Sequence, residues 1–559
     1  MKLTWTTTVL TCVLLADVFK PLAVTSMVTS YEKLRQFMRT GDTPLLQAIQ
    51  DAIDEKLAKI DKLTTSIKTL TTLLTKQSVT LSNDNRLTAD HPNTFYLLIR
   101  NYVRTWHSSN TILTTVLRSH NISLPTLDDF ADARLALIRL QNVYRLRARD
   151  MLEGNYLGYK GPALTKEDAI VLGSSAFAGG YVAESRDWLQ LSASLLENAM
   201  WTRQKQRQSS AEGEGTPVEV LLHDYFLVLP QLARAHLYLN ETDIAWKLYY
   251  YCKESKLVDH EALTELRHDL DSEEFQNFQQ GQDPSDLQRR ENARVLCSRE
   301  KRQRIPELRP YHVCRYKSNA LIPYQRFEEE ILSTSPYVSL FYDVVYDAEI
   351  EKLKELARDG LEHGHVRMRS GKRGVSTSRT GDLSWVADSQ DPLVAHLSLR
   401  LRALTRLDLT IRSEEKLSGE PLQVVNYGLA GHYDVHLDTT QTKNIQKDRD
   451  IQGRLATVLL YLSDVEKGGA TVFPAVGISV TPVKGMALFW YNLQPALTGP
   501  DLGTFHAGCP VLIGNKWIAN KWIWTYGNTF RRPCGPSPES EQLDVEKIVS
   551  VDAIKQIIE

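Results

Sequence analysis

The sequence predicts an α+β, multidomain protein, helical through its N-terminal half and strand-rich toward its C-terminus. Three patterns carry that expectation. Residues 44–75 place apolar side chains at alternating spacings of three and four. Residues 164–255 read as paired amphipathic helices. From about residue 335 the texture changes to short alternating strands with glycine-rich turns. The 559 residues allow three or four domains at roughly 150 residues each. Apolar residues make up 42% and charged residues 24%, enough to bury sizeable cores. Lys and Arg total 66 against 68 Asp and Glu, a balance that argues against a nucleic-acid binder. After the first residues nothing stays apolar for the ~20 residues of a membrane span.

Taken in order, residues 1–25 read as a secretory signal peptide. Lys2 supplies its positive start, 9–16 its apolar run, and small residues follow near Ala23. The secretory route gives the remaining cysteines an oxidising compartment. Cys297/Cys314 and Cys509/Cys534 are the pairs closest in sequence and the economical disulfides, leaving Cys252 free; spacing alone leaves connectivity open. Asn121-Ile122-Ser123 and Asn240-Glu241-Thr242 are glycosylation sequons. The last four residues, Gln556-Ile557-Ile558-Glu559, are not a retention signal for the endoplasmic reticulum.

Residues 26–150 read as an N-terminal helical dimerisation domain. Leu46, Ile53, Ile60, Ile67 and Leu74 fall on one heptad position, and Ile49, Lys56, Leu63 and Leu70 on the other. That is a coiled-coil seam with one polar intruder, Lys56; a helix packed inside its own domain fits the same pattern. Residues 160–258 read as one or two tetratricopeptide-like repeats. Thr165 with Asp168 has the spacing of a capping box, and helices follow at 169–177, 188–199, 218–239 and 244–251. Residues 202–217 read as a polar loop. Tyr181, Tyr225, Tyr238 and Tyr249–251 gather here, either as repeat core or as an aromatic groove for a stiff, proline-rich peptide. Residues 259–310 are charged and glutamine-rich and read as a linker, helical or loosely ordered. The strand-rich domain spans 311–535, with strands at 339–345, 422–427, 433–438, 455–462, 486–491, 511–513 and 517–526 and helices at 350–358 and 393–404. A β-sandwich or barrel with flanking helices fits that pattern. Residues 536–559 are a C-terminal tail.

The chemistry concentrates near the C-terminus. His436 and Asp438 are two apart in a strand and so share a face. A histidine from a distant strand, such as His506, completes a two-histidine, one-carboxylate set that suits non-haem Fe(II) and leaves positions open. His-x-Asp by itself also fits zinc hydrolases and metal-free core strands. After His506, residues 511–513 and 516–522 flank Gly514-Asn515 and read as a hairpin. Its second strand puts Lys516, Ile518, Asn520 and Trp522 on one face. A lysine beside a metal site is costly to bury without an anion, and a dicarboxylate co-substrate supplies one.

The combined motifs resemble the α subunit of collagen prolyl 4-hydroxylase. They are 423–428 (QVVNYG), His436-Leu437-Asp438, 454–457 (RLAT), 468–474 (GGATVFP), 489–492 (FWYN), His506, 514–517 (GNKW) and 531–534 (RRPC). The resemblance implies a double-stranded β-helix (jelly-roll) dioxygenase domain. It implies Fe(II) held by His436, Asp438 and His506. It also implies 2-oxoglutarate bound by Lys516, Tyr427 and Thr471, with Trp522 nearby. Dioxygen and ascorbate are used, succinate and carbon dioxide are released, and the hydroxyl goes onto proline C4. Protein disulfide isomerase as β subunit, an α2β2 tetramer, a proline-rich peptide substrate bound by Tyr181 and Tyr238, and residence in the endoplasmic-reticulum lumen are implied too. So are disulfides at Cys297/Cys314 and Cys509/Cys534. His432 and Ala235 depart from the commoner family residues. Two other readings share these residues: the same chemistry on another secreted, proline-containing protein, and a non-catalytic assembly or chaperone subunit.

Overall fold

The computed structural model describes residues 91–107, 125–208, 217–272, 284–298, 313–363, 365–367, 373–375, 378–413, 416–439, 453–532 and 534–537, with scattered helical positions between 50 and 64. The signal peptide, most of the heptad seam, Asn121 and most of the C-terminal tail lie outside these residues. The chain divides into two compact units, 1–83 with 105–123, and 84–104 with 124–559. The second unit holds the strand-rich domain and most of the described helices.

Its helical part begins with α1 (Pro92–His107), α2 (Leu127–Tyr144), α3 (Lys166–Ala178), α4 (Val182–Gln208), α5 (Val218–Tyr238), α6 (Thr242–Ser255) and α7 (His260–Asp271). The Thr165/Asp168 capping box forms as the spacing predicts: the Thr165 side chain accepts from Asp168 N, and the carboxylate accepts from Thr165 N. That carboxylate also accepts from the Tyr96 hydroxyl at 3.0 Å and pairs with Arg100. One cap thereby ties α1 to α3. Ile138, Leu140, Leu172 and Trp188 are fully buried in the shared core, and Trp188 donates its indole N–H to Gln141 at 2.7 Å. Helix α4 runs on to Gln208, seven residues into the stretch expected to be a loop, because the polar residues 202–208 are good helix formers.

The helix α8 (Pro284–Ser298) lies within the expected linker, yet it packs against the strand-rich domain. Ala293, Leu296 and Cys297 share a core with Val472, Ala507 and Cys509. This packing corrects the disulfide pairing. Cys297 bonds to Cys509, Cα–Cα 5.6 Å, whereas Cys314 and Cys534 are exposed and unpaired. Neighbours in sequence are not neighbours here, since Cys314 sits on an edge strand of the other sheet. Cys252 is free and buried.

Among the described residues the strand-rich domain has two main antiparallel sheets and three two-stranded ones, of which Lys467–Gly468 with Val511–Ile513 is one. The strands of the two main sheets and of that pair are β1 (Val313–Asn319), β2 (Ile322–Thr334), β3 (Tyr337–Tyr342), β4 (Glu362–His363), β5 (Arg379–Thr380), β6 (Asp382–Val386), β7 (Leu422–Tyr427), β8 (His432–His436), β9 (Arg454–Tyr461), β10 (Lys467–Gly468), β11 (Thr471–Phe473), β12 (Ile478–Val480), β13 (Ala487–Tyr491), β14 (His506–Gly508), β15 (Val511–Ile513) and β16 (Lys516–Trp524). The larger sheet has nine strands in the order β1-β2-β3-β13-β9-β16-β7-β6-β4, and the smaller has five in the order β12-β11-β14-β8-β5. Two helices, Asp347–Arg358 and Pro392–Thr405, cover one face of the large sheet. Period-two alternation shows the layering. Val424 and Leu460 point to the helices, whereas Val425, Leu459 and Tyr461 point to the core between the sheets. A central strand covered on both faces explains the unbroken burial of β9 from Leu455 to Tyr461, interrupted in polarity only by Thr457.

The expected hairpin at Gly514-Asn515 does not form. β15 pairs with β10, and β16 pairs with β7 and β9. Gly514, at φ +96, carries the chain from the β10–β15 pair into the larger sheet rather than back on itself. The segment between His506 and Lys516 also meets the helical part. Leu512 and Ile513 pack in its core, the Tyr144 hydroxyl donates to Pro510 O, and Arg139 donates to Ala430 O at 3.2 Å.

Candidate metal and co-substrate site

Neighbouring strands of the smaller sheet bring His436, Asp438 and His506 together, with one ligand atom of each within 4.8 Å of the others. His436 on β8 and His506 on β14 are cross-strand partners, which is how residues seventy apart in sequence meet. Asp438 lies just past the end of β8. Its Oδ1 is 3.5 Å from His436 Nε2 and 3.8 Å from His506 Nε2.

The hydrogen bonds behind the rings set their chemistry. His436 Nδ1 faces Asp434 O at 2.7 Å and His506 Nδ1 faces Thr504 O at 3.0 Å. A carbonyl only accepts, so each Nδ1 carries the proton and each Nε2 presents a lone pair. Two lone pairs and a carboxylate oxygen therefore converge on one point. Such a set repels itself unless a cation sits there, and it has the donor composition of a facial triad for non-haem Fe(II). Burial and the neighbouring His436 push His506 down to about 4, which keeps it neutral. Burial alone would raise the Asp438 carboxyl, but His506, His436 and Arg454 hold it well below the usual range.

The pocket around this set is lined by Tyr427, Tyr433, Thr471, Lys516, Asn520 and Trp522 among others. Lys516, Ile518, Asn520 and Trp522 share its wall as the two-residue period on β16 predicts. Lys516 is 2% exposed, and burial alone brings its ammonium down to about 7. Its Nζ stands 5.7 Å from the Tyr427 ring centre and 5.9 Å from that of Tyr461. Thr471 is buried and accepts from the Tyr461 hydroxyl at 2.9 Å, leaving its own proton for another acceptor. A cation, a phenol and a hydroxyl at the end of a small pocket fit the distal carboxylate of an oxo acid.

Tyr433 is the lining residue that strand periodicity conceals. Three residues before His436 it should face the other way, but a register shift between Tyr433 and His436 brings it round. Its ring stacks on His436 with centroids 3.5 Å apart. His432, close in sequence, is engaged elsewhere, by Thr380 at 2.7 Å and Asp434 at 3.3 Å. Tyr181 and Tyr238 stand apart from this pocket. Tyr181 is half-buried against the helical core beside Arg139, and Tyr238 sits edge-on to Phe177 at 5.2 Å. Neither lines the cleft of about 400 Å³ that Phe226, Pro230, Arg234 and Val258 help to form. Asn240 is exposed between α5 and α6.

Residues 422–524, which hold the triad and Lys516, match the family described as the 2OG-Fe(II) oxygenase superfamily. Residues 30–158 match the prolyl 4-hydroxylase alpha-subunit, N-terminal region. Prolyl 4-hydroxylase subunit alpha-2 of Gallus gallus is 32% identical over 89% of this chain and 92% of its own length. The chain belongs to the prolyl 4-hydroxylase α-subunit family. Subunit alpha-1 of Rattus norvegicus is 30% identical over 88% of this chain and 93% of its own length. Subunit alpha-3 of Homo sapiens is 33% identical over 74% and 77%. A solved viral collagen prolyl hydroxylase from Paramecium Bursaria Chlorella virus-1, in a 2OG complex, covers 34% of this chain and 95% of its own at 24% identity and a TM-score of 0.27. As a family member the chain is a proline-hydroxylating dioxygenase that works with Fe(II) and 2-oxoglutarate. Among the described residues no helix is long and apolar enough to cross a membrane.

Proposed function

We propose that this α subunit hydroxylates proline at C4 in collagen-like X-Pro-Gly peptides, with His436, Asp438 and His506 as the iron ligands. The observation that carries the reading is the convergence of two imidazole lone pairs and one carboxylate oxygen, beside a lysine whose ammonium is pushed down by burial alone. Iron, when bound, couples dioxygen and 2-oxoglutarate to give succinate, carbon dioxide and one hydroxyl on the substrate. Lys516, Tyr427 and Thr471 anchor the distal carboxylate. The stacked Tyr433 and the wall formed by Trp522 and Leu459 exclude water around the triad.

The helical part is read as the peptide-binding module, tetratricopeptide-like, because consecutive amphipathic helices from α3 to α6 pack on one another. The heptads at 44–75 serve α–α dimerisation, and protein disulfide isomerase is the β subunit of an α2β2 complex in the endoplasmic-reticulum lumen. The separation of Tyr181 and Tyr238 from the helical cleft favours a second reading of the substrate alone, another secreted proline-containing protein.

The test uses the full chain co-expressed with disulfide isomerase, given Fe(II), 2-oxoglutarate, ascorbate and a (Pro-Pro-Gly) repeat peptide. Mass spectrometry should find 4-hydroxyproline, and none with His436→Ala. Decarboxylation of the oxo acid with no hydroxylated peptide would refute the collagen-like substrate and keep the enzyme class.

A further inference from the structure

The carboxylate of the triad is held by two further residues, which lie at the ends of the motifs 454–457 and 489–492 but have no part in the iron or 2-oxoglutarate assignments above. Thr457 on β9 donates from Oγ1 to Asp438 Oδ2 at 2.7 Å, and Asn492, just after β13, donates from Nδ2 to Thr457 Oγ1 at 3.0 Å. Thr457 is 0% exposed and Asn492 1%. The backbone of Asn492 is pinned on both sides, its N–H donating to Leu455 O at 2.8 Å and its C=O accepting from Asp501 N at 2.9 Å.

The direction of this chain is fixed by counting protons. A threonine hydroxyl has one proton, and an ionised carboxylate has none to give. With the amide of Asn492 filling the acceptor side of Oγ1, that proton has one place to go, Asp438 Oδ2. The opposite amide orientation would set the Asn492 oxygen against Thr457 in competition for the same proton. The orientation observed leaves Asn492 Oδ1 without a hydrogen-bond partner, so the geometry favours the relay over the amide's own full satisfaction.

We propose that Thr457 and Asn492 are positioning residues for the metal: they lock the Asp438 carboxylate so that Oδ1 alone faces His436 and His506. The proposal rests on the reading of those three residues as the iron site. Removing the hydroxyl leaves Oδ2 buried without its donor and frees the carboxylate to turn about its Cβ–Cγ bond, so the ligand set is no longer fixed before metal arrives. The two residues do not touch the metal, and 2-oxoglutarate chemistry at Lys516 does not depend on them.

The experiment is a Co(II) titration of the metal-free full chain in its complex with the β subunit, without substrate, followed by the visible absorption of bound cobalt. Thr457→Val, which keeps the shape and loses the hydroxyl, should weaken Co(II) binding about 10–100-fold and alter the cobalt spectrum. Thr457→Ser should restore both, and Asn492→Ala should show a smaller loss. Parent-like affinity and spectrum in folded Thr457→Val would overturn the relay. If that variant does not fold, parent-like binding in Asn492→Ala overturns it instead. His436→Ala separates the site from the relay. If it binds Co(II) as the parent does, the iron site itself is misassigned; if it loses binding while Thr457→Val keeps it, only the relay fails.

Discussion

The two ends of the pocket treat charge in opposite ways. At the metal end the Asp438 anion is held in place from behind, by a threonine hydroxyl on Oδ2 and by Arg454 donating to its backbone carbonyl at 3.3 Å, while Oδ1 faces the two histidines. At the far end Lys516 is a cation whose surroundings are aromatic rings and aliphatic side chains. The Asp438 carboxylate, just past the end of β8, and Lys516, on β16 of the larger sheet, are both buried, so burial does not separate them. A protein that supplies every partner at one end and withholds the counter-charge at the other has left that counter-charge to the ligand. The lysine end is unfinished until a dianion arrives, while the metal end is organised beforehand.

The largest effect comes from breaking the organised end. His506→Ala removes a proposed iron ligand, whose ring is held by Thr504 O and packed by Phe473 and Trp490. Hydroxylation of a peptide should fall by more than about 1,000-fold, as for the loss of a group acting inside a unit. Thermal unfolding without metal should change far less, because the loss is of chemistry.

At the unfinished end the two readouts should separate. Lys516→Met keeps the length and apolar stem. It removes a charge that burial disfavours in the free chain, so the melting temperature without co-substrate should stay level or rise. The KM for 2-oxoglutarate should rise on the order of 30–1,000-fold, corresponding to about 2–4 kcal/mol for a buried charge pair deprived of one member. A variant that lowered stability and left that KM alone would erase the contrast between the two ends.

The contrast also predicts a pH dependence with a definite sign. In the free chain Lys516 titrates near 7, and in the unfolded chain near the ordinary ~10.4. Between those values the unfolded state binds more protons, so this lysine makes stability rise with pH from about 7 upward. The corresponding contribution is lost as pH falls toward 7. A bound carboxylate restores the charge, so binding takes up a proton and weakens as pH climbs above 7, by at most about tenfold per pH unit. Calorimetry of 2-oxoglutarate binding in two buffers of different ionisation enthalpy would show the uptake, and Lys516→Met should abolish it.

How legible all this was in the sequence differs between the same regions. Residues one strand apart in function announce themselves through spacing. Lys516 with Asn520 and Trp522 follow the two-residue period and share the pocket wall as it requires, whereas Asp438 comes beside His436 from just past the end of β8, the expected strand 433–438 stopping at His436. The capping box at Thr165 and Asp168 is local in the same sense. What the sequence conceals depends on register and on tertiary approach. Tyr433 reaches the pocket only through a register shift. The run from Val511 to Trp524 has the local signals of a hairpin, but each half found a better-buried partner strand. Cys297 meets Cys509 across 212 residues because α8 docks on the small sheet, and no spacing rule sees a docked helix. The tyrosines of the helical part carry no period that distinguishes a groove from a core, and Tyr181 and Tyr238 are packed against their own module.

The smallest effect tests whether the two ends are independent. His506 and Lys516 are joined by a segment that leans on the helical part, with Pro510 O accepting from the Tyr144 hydroxyl and Leu512 and Ile513 buried beside it. Tyr144→Phe removes one hydroxyl from a buried ring. Pro510 O keeps the amide of Gly469 at 3.0 Å, so no carbonyl is orphaned and the cost should be about 1 kcal/mol of stability. If the segment transmits that loss, metal affinity and the KM for 2-oxoglutarate should shift together and in the same direction, each by less than about fivefold. If the ends are set separately by their own sheets, stability alone should change. Measuring all three on one preparation decides whether the helical part merely abuts the catalytic strands or holds the pocket to its length.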